Sequence, residues 1–297
     1  MAKLDLTIPN LKLPDGNQIP MIGYGLGTAW YKNDANSPKD QATIDATKTA
    51  IGVGYTHLDG AEVYNTEEEL GDAIKQSKVP RDKLFITTKV LPHIDDIPGA
   101  IDASLKKLGL DYVDLYLIHA PFFAKGDPKV LQQKWADMEQ LAAAGKTKSI
   151  GVSNFLKPDL DAILETCKVQ PAMNQIEFHP YLQHGDLLAY HQNKDIKVAA
   201  YGPLTPITRA KGGPLDGYLD SLAKKYAVNP GEVLLRWCMD QNVVPITTSS
   251  QKQRLSDMLR VFTFELTPKE VEEISELGKT HHFRAFWSRF FDANDKS

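Results

Sequence analysis

A chain of 297 residues, 42% of them hydrophobic, is long enough to bury one large core, and its formal net charge of −4 leaves no basic excess for nucleic acid. Cys167 and Cys238 are the only cysteines and form no CxxC, which speaks against a disulfide framework or a cysteine zinc site and for a reducing compartment. The start, Met1 to Leu6, lacks an apolar signal core, and no run approaches the roughly 18 apolar residues of a membrane span, so the expectation is a cytoplasmic protein with no membrane association and no obligate protein partner.

The first element is a hairpin: Leu11-Lys12-Leu13 and Gln18-Ile19-Pro20-Met21 flank Pro14-Asp15-Gly16-Asn17, and Asp-Gly tolerates the positive φ of a tight turn. Eight strand-like runs follow: Met21–Gly27, Thr56–Asp59, Leu84–Lys89, Val113–His119, Ser149–Ser153, Ala172–Glu177, Lys197–Tyr201 and Val243–Thr247. Helical patterns lie between them, over Gln41–Ile51, Thr66–Gln76, Ile101–Leu108, Val130–Ala144, Pro158–Cys167 and Leu187–Asn193. Two more, Leu215–Tyr226 and Pro230–Asp240, separate the last two strands. Local punctuation agrees, with Thr66 placed to cap one helix, Gly109 and Gly145 following helices, and Asn229-Pro230 opening another. Helices over Gln251–Phe262 and Thr267–Lys279 come after the eighth strand, the second with capping-box spacing from Thr267 to Glu270. The strand-helix alternation predicts a parallel α/β protein, a (β/α)8 barrel spanning 1–297 as one domain. Residues 281–297 are too aromatic for a solvated linker, so they are expected to pack near the pocket mouth.

In such a barrel, catalytic groups stand at the C-terminal ends of strands. Three consecutive strands end in Asp59, Lys89 and His119, and Tyr64 follows the first of them closely. A phenol, an ammonium, a carboxylate and an imidazole together suit proton transfer to a carbonyl oxygen. Lys89 would lower the phenol's pKa, Asp59 would anchor Lys89, and His119 would orient the oxygen or relay a proton. Each residue alone has a plainer structural reading, and their joint placement carries the inference. Lys89 could instead form a Schiff base, as in a lyase. A metal-hydrolase reading would gather His57, His119, Glu177 and His179, but no HxH or HExxH supports it.

The run Gly23-Tyr24-Gly25-Leu26-Gly27-Thr28 lacks GxGxxG spacing and reads as a tight loop beside a ligand rather than a Rossmann turn. Ser153, Asn154, Gln175 and Tyr201 sit at or near strand ends, where they offer amide-binding groups and a flat face suited to a nicotinamide ring. The stretch from Thr247 through Thr248, Ser249 and Ser250 to Arg254 opens a helix with hydroxyls and a cation suited to a phosphate.

The segments Leu58 to Asn65, Ile86 to Lys89, Leu117 to Pro121, Ile150 to Phe155 and Asn174 to Pro180 resemble, in order, the signatures of the aldo-keto reductase superfamily. More narrowly, His119-Ala120-Pro121-Phe122-Phe123, Thr247 to Ser250 and Phe283 to Phe286 resemble fungal members that reduce conjugated polyketones and ketopantoyl lactone. The resemblance implies a metal-independent reductase that uses NADPH, and NADH less well, on a small-molecule carbonyl. Tyr64 would be its general acid, Lys89 and Asp59 its tuning pair, and His119 the orienting group. It implies cofactor contacts from Gly27, Thr28, Asp59, Ser153, Asn154, Gln175, Tyr201, Leu204, Thr248, Ser249, Ser250 and Arg254, and substrate contacts from Trp30, Tyr64, His119 and Phe122. Three departures qualify it. Thr248 stands where most relatives have Lys, softening the NADPH preference; Ala120 replaces an aromatic residue and should open that flank of the pocket; and Trp30 lies one residue later than the usual aromatic. Potassium-channel β subunits share the fold, so a non-catalytic nicotinamide-binding regulatory subunit is the alternative.

Overall fold

The computed structural model describes residues 7–292 and 294–297; Met1 to Leu6, read above as lacking a signal core, lie outside the described residues. Two short antiparallel strands, β1 (Asn10–Lys12) and β2 (Gln18–Pro20), form the hairpin, with Gly16 at φ +91° in its turn. Eight parallel strands then close into a barrel: β3 (Gly23–Gly25), β4 (His57–Asp59), β5 (Phe85–Val90), β6 (Val113–Ile118), β7 (Thr147–Ser153), β8 (Met173–Glu177), β9 (Lys197–Tyr201) and β10 (Val243–Thr247), with β10 returning to pair with β3. Strands β5, β6, β8 and β10 are buried along their whole length, as expected where helices cover one face and the barrel interior the other. The hairpin lies across the N-terminal end of the barrel, burying Leu13 and Ile19, and Asn17 Nδ2 donates to the Lys148 carbonyl and the Ser149 hydroxyl at the start of β7.

Several boundaries differ from the sequence reading for identifiable reasons. Strand β3 is shorter than Met21–Gly27: beyond Gly25 only the bond from Leu26 N–H to the Asp59 carbonyl, 2.9 Å, continues toward β4 before the chain leaves the barrel. The helix expected from Ile101 begins at Ile97, because Asp96 caps it by accepting from Gly99 N–H. Thr66 occupies a cap position without capping; its hydroxyl is buried and unbonded there. The stretch Gln251–Phe262 divides into an α-helix, Lys252–Met258, and a 3-10 turn, Leu259–Phe262, while Thr205–Thr208 adds a short helix that no pattern announced. Thr267 and Glu270 form the expected capping box.

The helices Glu67–Ser77 and Ile97–Leu108 approach closely at Gly71, where a Cβ would lie 2.4 Å from the Leu108 carbonyl oxygen. Gly71→Ala is therefore expected to destabilise the fold by about 1–3 kcal/mol through forced separation of the two helices. Thermal unfolding checks this, and an unshifted midpoint would show that the contact relaxes freely.

The tail crosses the C-terminal ends of β8 and β9. Phe283 N–H donates to the Tyr181 carbonyl at 3.1 Å, and the N–H groups of Ala285 and Phe286 donate to the Glu177 carboxylate at 2.8 and 3.1 Å. The Arg284 guanidinium lies over the Phe291 ring at 4.0 Å.

Candidate active site

Parallel register brings the ends of β4, β5 and β6 side by side. Asp59 closes β4, Lys89 is the penultimate residue of β5, His119 follows β6, and Tyr64 ends a single 3-10 turn, Glu62–Tyr64, just beyond β4. Lys89 Nζ donates to Asp59 Oδ1 at 2.6 Å and to the Gly60 carbonyl at 2.7 Å, with Lys89 fully buried. The other carboxylate oxygen of Asp59 accepts from Gln175 Nε2 at 2.8 Å. Lys89 Nζ also lies 5.1 Å from the centroid of the Tyr64 ring, which meets the His119 ring edge-on at 5.6 Å. The four residues expected from strand order thus meet in one cluster.

Their electrostatics depart from the sequence expectation in one respect. Burial raises the Tyr64 phenol above its ordinary pKa, and the pull of Lys89 in the opposite direction does not overcome it. Burial also works against the Lys89 ammonium, but Asp59 and then Tyr64 outweigh it and hold the pKa above that of an ordinary lysine. Burial, reinforced by Lys89, pushes His119 well below the usual imidazole value, so it is neutral near pH 7, and its Nδ1 has no bonding partner there.

Asp59, Tyr64 and His119 line a cavity of about 580 Å³, within the range of small-molecule sites, with Lys89 buried behind them. Gly27, Thr28, Thr248, Gln175 and Tyr201 also form part of its wall. Gly27 is required by closeness, since a Cβ there would lie 2.9 Å from the Tyr64 ring. Ser153 and Asn154 stand behind this wall. Ser153 Oγ donates to the Gln175 carbonyl at 2.8 Å, and Asn154 Nδ2 donates to the His119 carbonyl at 2.9 Å. The Tyr201 hydroxyl donates to Asn154 Oδ1 at 2.6 Å. The amide-binding set foreseen from sequence is one bonded network, of which Gln175 and Tyr201 reach the cavity.

Several expected contacts lie elsewhere. Trp30 does not line the cavity: its Nε1 donates to Thr248 Oγ1 at 3.2 Å, and its neighbour Tyr31 faces the cavity, edge-on to Tyr64 at 6.3 Å. Phe122 is covered by the tail, stacked on Phe290 at 3.9 Å. Leu204 packs against the core instead of lining the cavity. Ala120, where a more open flank is expected, is fully buried and does not line the cavity, and Trp287 meets the neighbouring His119 ring at 6.0 Å. Ser249 is buried, its hydroxyl accepting from Gln251 N–H at 3.0 Å, whereas Ser250 and Arg254 are exposed at the head of the helix Lys252–Met258.

Sequence reasoning missed Tyr31, Arg209, Phe286 and Trp287 as cavity residues. Arg209 lies over the Phe286 ring at 4.7 Å, in the loop between β9 and the helix Asp216–Tyr226. The concentration of aromatic residues in the tail was the available signal for two of the four; nothing in the pattern marked the others. As for the metal alternative, Glu177 and His179 are bonded to each other at 3.0 Å, and among the described residues no group of three or more His, Cys, Asp and Glu side chains could hold a metal ion.

Known proteins are similar to this chain over most of its length. The model of the aldo/keto reductase family matches residues 24–279. The NAD/NADP-dependent indole-3-acetaldehyde reductase of Schizosaccharomyces pombe is 42% identical over 275 residues, covering 91% of this chain and 96% of that protein. The NADPH-dependent alpha-keto amide reductase of Saccharomyces cerevisiae is 40% identical over 293 residues, covering 94% of each. Among solved structures, an aldo-keto reductase of Bombyx mori in complex with NADP superposes with a TM-score of 0.84 at 34% identity, covering 98% of this chain and 99% of that one. With a family model matching most of its length and a barrel of the same shape, the chain belongs to the aldo-keto reductase family.

Proposed function

We propose that residues 1–297 form one cytoplasmic enzyme unit that reduces ketones or aldehydes to alcohols with NADPH, its preferred substrates being conjugated or cyclic dicarbonyls and keto-lactones. The observation that carries this reading is the Lys89–Asp59 pair, bonded at 2.6 Å and lying against Tyr64, with a neutral His119 on the same cavity. The names of the two fungal relatives, an aldehyde reductase and a keto amide reductase, support it.

The residues present suit a nicotinamide cofactor. Tyr201 offers a flat ring and Gln175 a carboxamide on the cavity wall, while Arg209 brings a cation to the cavity and Arg254 an exposed cation at the helix head after β10. When bound, the nicotinamide supplies the hydride. Tyr64 keeps its proton at neutral pH and can deliver it from its hydroxyl to the carbonyl oxygen. Lys89, held charged by Asp59, then stabilises the phenolate left behind, and Gln175 fixes the far oxygen of Asp59. His119, uncharged, orients the same oxygen, while Val63 and Leu91 keep water away. The raised pKa of Lys89 argues against Schiff-base chemistry, which needs the free amine.

Consumption of NADPH followed at 340 nm with isatin, a cyclic α-diketone, ketopantoyl lactone and a simple aldehyde tests the reading, with NADH in parallel. Tight cofactor binding without turnover on any of them would instead support a nicotinamide-binding regulatory protein. Arg254→Ala is expected to weaken NADPH binding by roughly tenfold and NADH binding much less, because only NADPH carries the 2′-phosphate. Equal losses for both would remove Arg254 from that role. Thr248, bonded to Trp30, adds no charge there, so NADH remains a usable though weaker cofactor.

A further inference from the structure

Glu177 ends β8, is 1% exposed and does not line the cavity. A buried carboxylate is costly unless donors surround it. Here Oε1 lies 2.8 Å from the Ala285 amide nitrogen and 3.0 Å from His179 Nε2, and Oε2 accepts from Phe286 N–H at 3.1 Å. Two of its three donors therefore belong to the tail, and only a tail docked in this register supplies both. Trp287 comes next in the chain, at φ +61°, a left-handed conformation that a bulky residue adopts only when its surroundings hold it there. Its ring is thereby set against His119.

We propose that Glu177 is a positioning residue for substrate recognition: by clipping the backbone of Ala285 and Phe286 it holds Trp287 over His119, where the indole forms the wall against which a flat, ring-bearing carbonyl substrate packs. This rests on the reductase reading above. Glu177 acts through Trp287, so removing either contact loosens the same wall, while Tyr64 and the Lys89–Asp59 pair, held by contacts outside the tail, keep their geometry.

Steady-state kinetics with isatin and NADPH test the proposal on Glu177→Gln, Trp287→Ala and the double variant, with NADPH affinity read separately by fluorescence titration. Each single substitution is expected to raise KM for isatin about tenfold, with kcat and NADPH affinity within about threefold of wild type, and the double variant should be no worse than the singles. Should Glu177→Gln not fold, Ala285→Pro removes one donor from the tail side alone and must give the same rise in KM. Multiplying effects in the double variant, a loss confined to kcat or NADPH affinity, or a fall in KM would each overturn the proposal, the last by showing that the indole obstructs the cavity. Normal wild-type turnover with unmoved KM in the variants overturns this proposal alone; no wild-type turnover on the full carbonyl panel overturns the reductase reading with it.

Discussion

Tyr64→Phe is expected to lower kcat for carbonyl reduction by about 10²–10⁴-fold while leaving NADPH affinity nearly unchanged. The substitution removes one oxygen and keeps the ring, so the edge contacts with Tyr31 and His119 persist and the cavity keeps its shape. What is lost is the proton held at the site by burial, together with the phenolate that Lys89 would have stabilised. Single-turnover NADPH oxidation measures the chemical step and cofactor fluorescence measures binding. Turnover within about tenfold of wild type would show that another group, with His119 the nearest candidate, delivers the proton.

Lys89→Met should have the second-largest effect, on stability as well as rate. It leaves Asp59 buried with only the Gln175 amide among its side-chain partners, and breaking a buried pair from one side costs about 3–5 kcal/mol. For a chain of this size that corresponds to a fall of roughly 6–10 °C in melting temperature. Adding Asp59→Asn to the same protein should recover part of the loss, since no uncompensated charge then remains, while activity stays low. A Lys89→Met protein that melts within about a degree of wild type would mean that water reaches Asp59 and the pair is not desolvated.

The cluster of Asp59, Tyr64, Lys89 and His119 was legible in the sequence because strand period and barrel topology together fix which residues stand at strand ends. Asp59, Lys89 and His119 needed no more than that, and Tyr64 follows at a distance of one short turn. Caps were legible where a side chain actually bonds to the backbone, as at Thr267, and misleading where it does not, as at Thr66. In the loops, by contrast, no period sets the direction of a side chain. Trp30 and Tyr31 are adjacent and both aromatic, and which of them faces the cavity depends on whether the Thr248 hydroxyl is there to take the indole N–H, a contact 218 residues away. Phe122 was assigned to the substrate because the tail that covers it could not be placed by pattern. Glu177, within a recognisable motif, gave no hint that its partners would be tail amides, for backbone donors leave no mark in a sequence.

The packed barrel, covered by the hairpin at its N-terminal end, has a kinetic consequence. The cavity shares no lining residue with the hollow beneath the hairpin, and the barrel interior between them is packed with side chains, so one mouth is expected to serve for both entry and exit, and two ligands held together in the cavity could not pass each other. Whichever reaches deeper must arrive first and depart last. Turnover is then expected to follow a compulsory sequence of arrivals and departures, and an inhibitor lodged at the mouth to trap what lies beneath it.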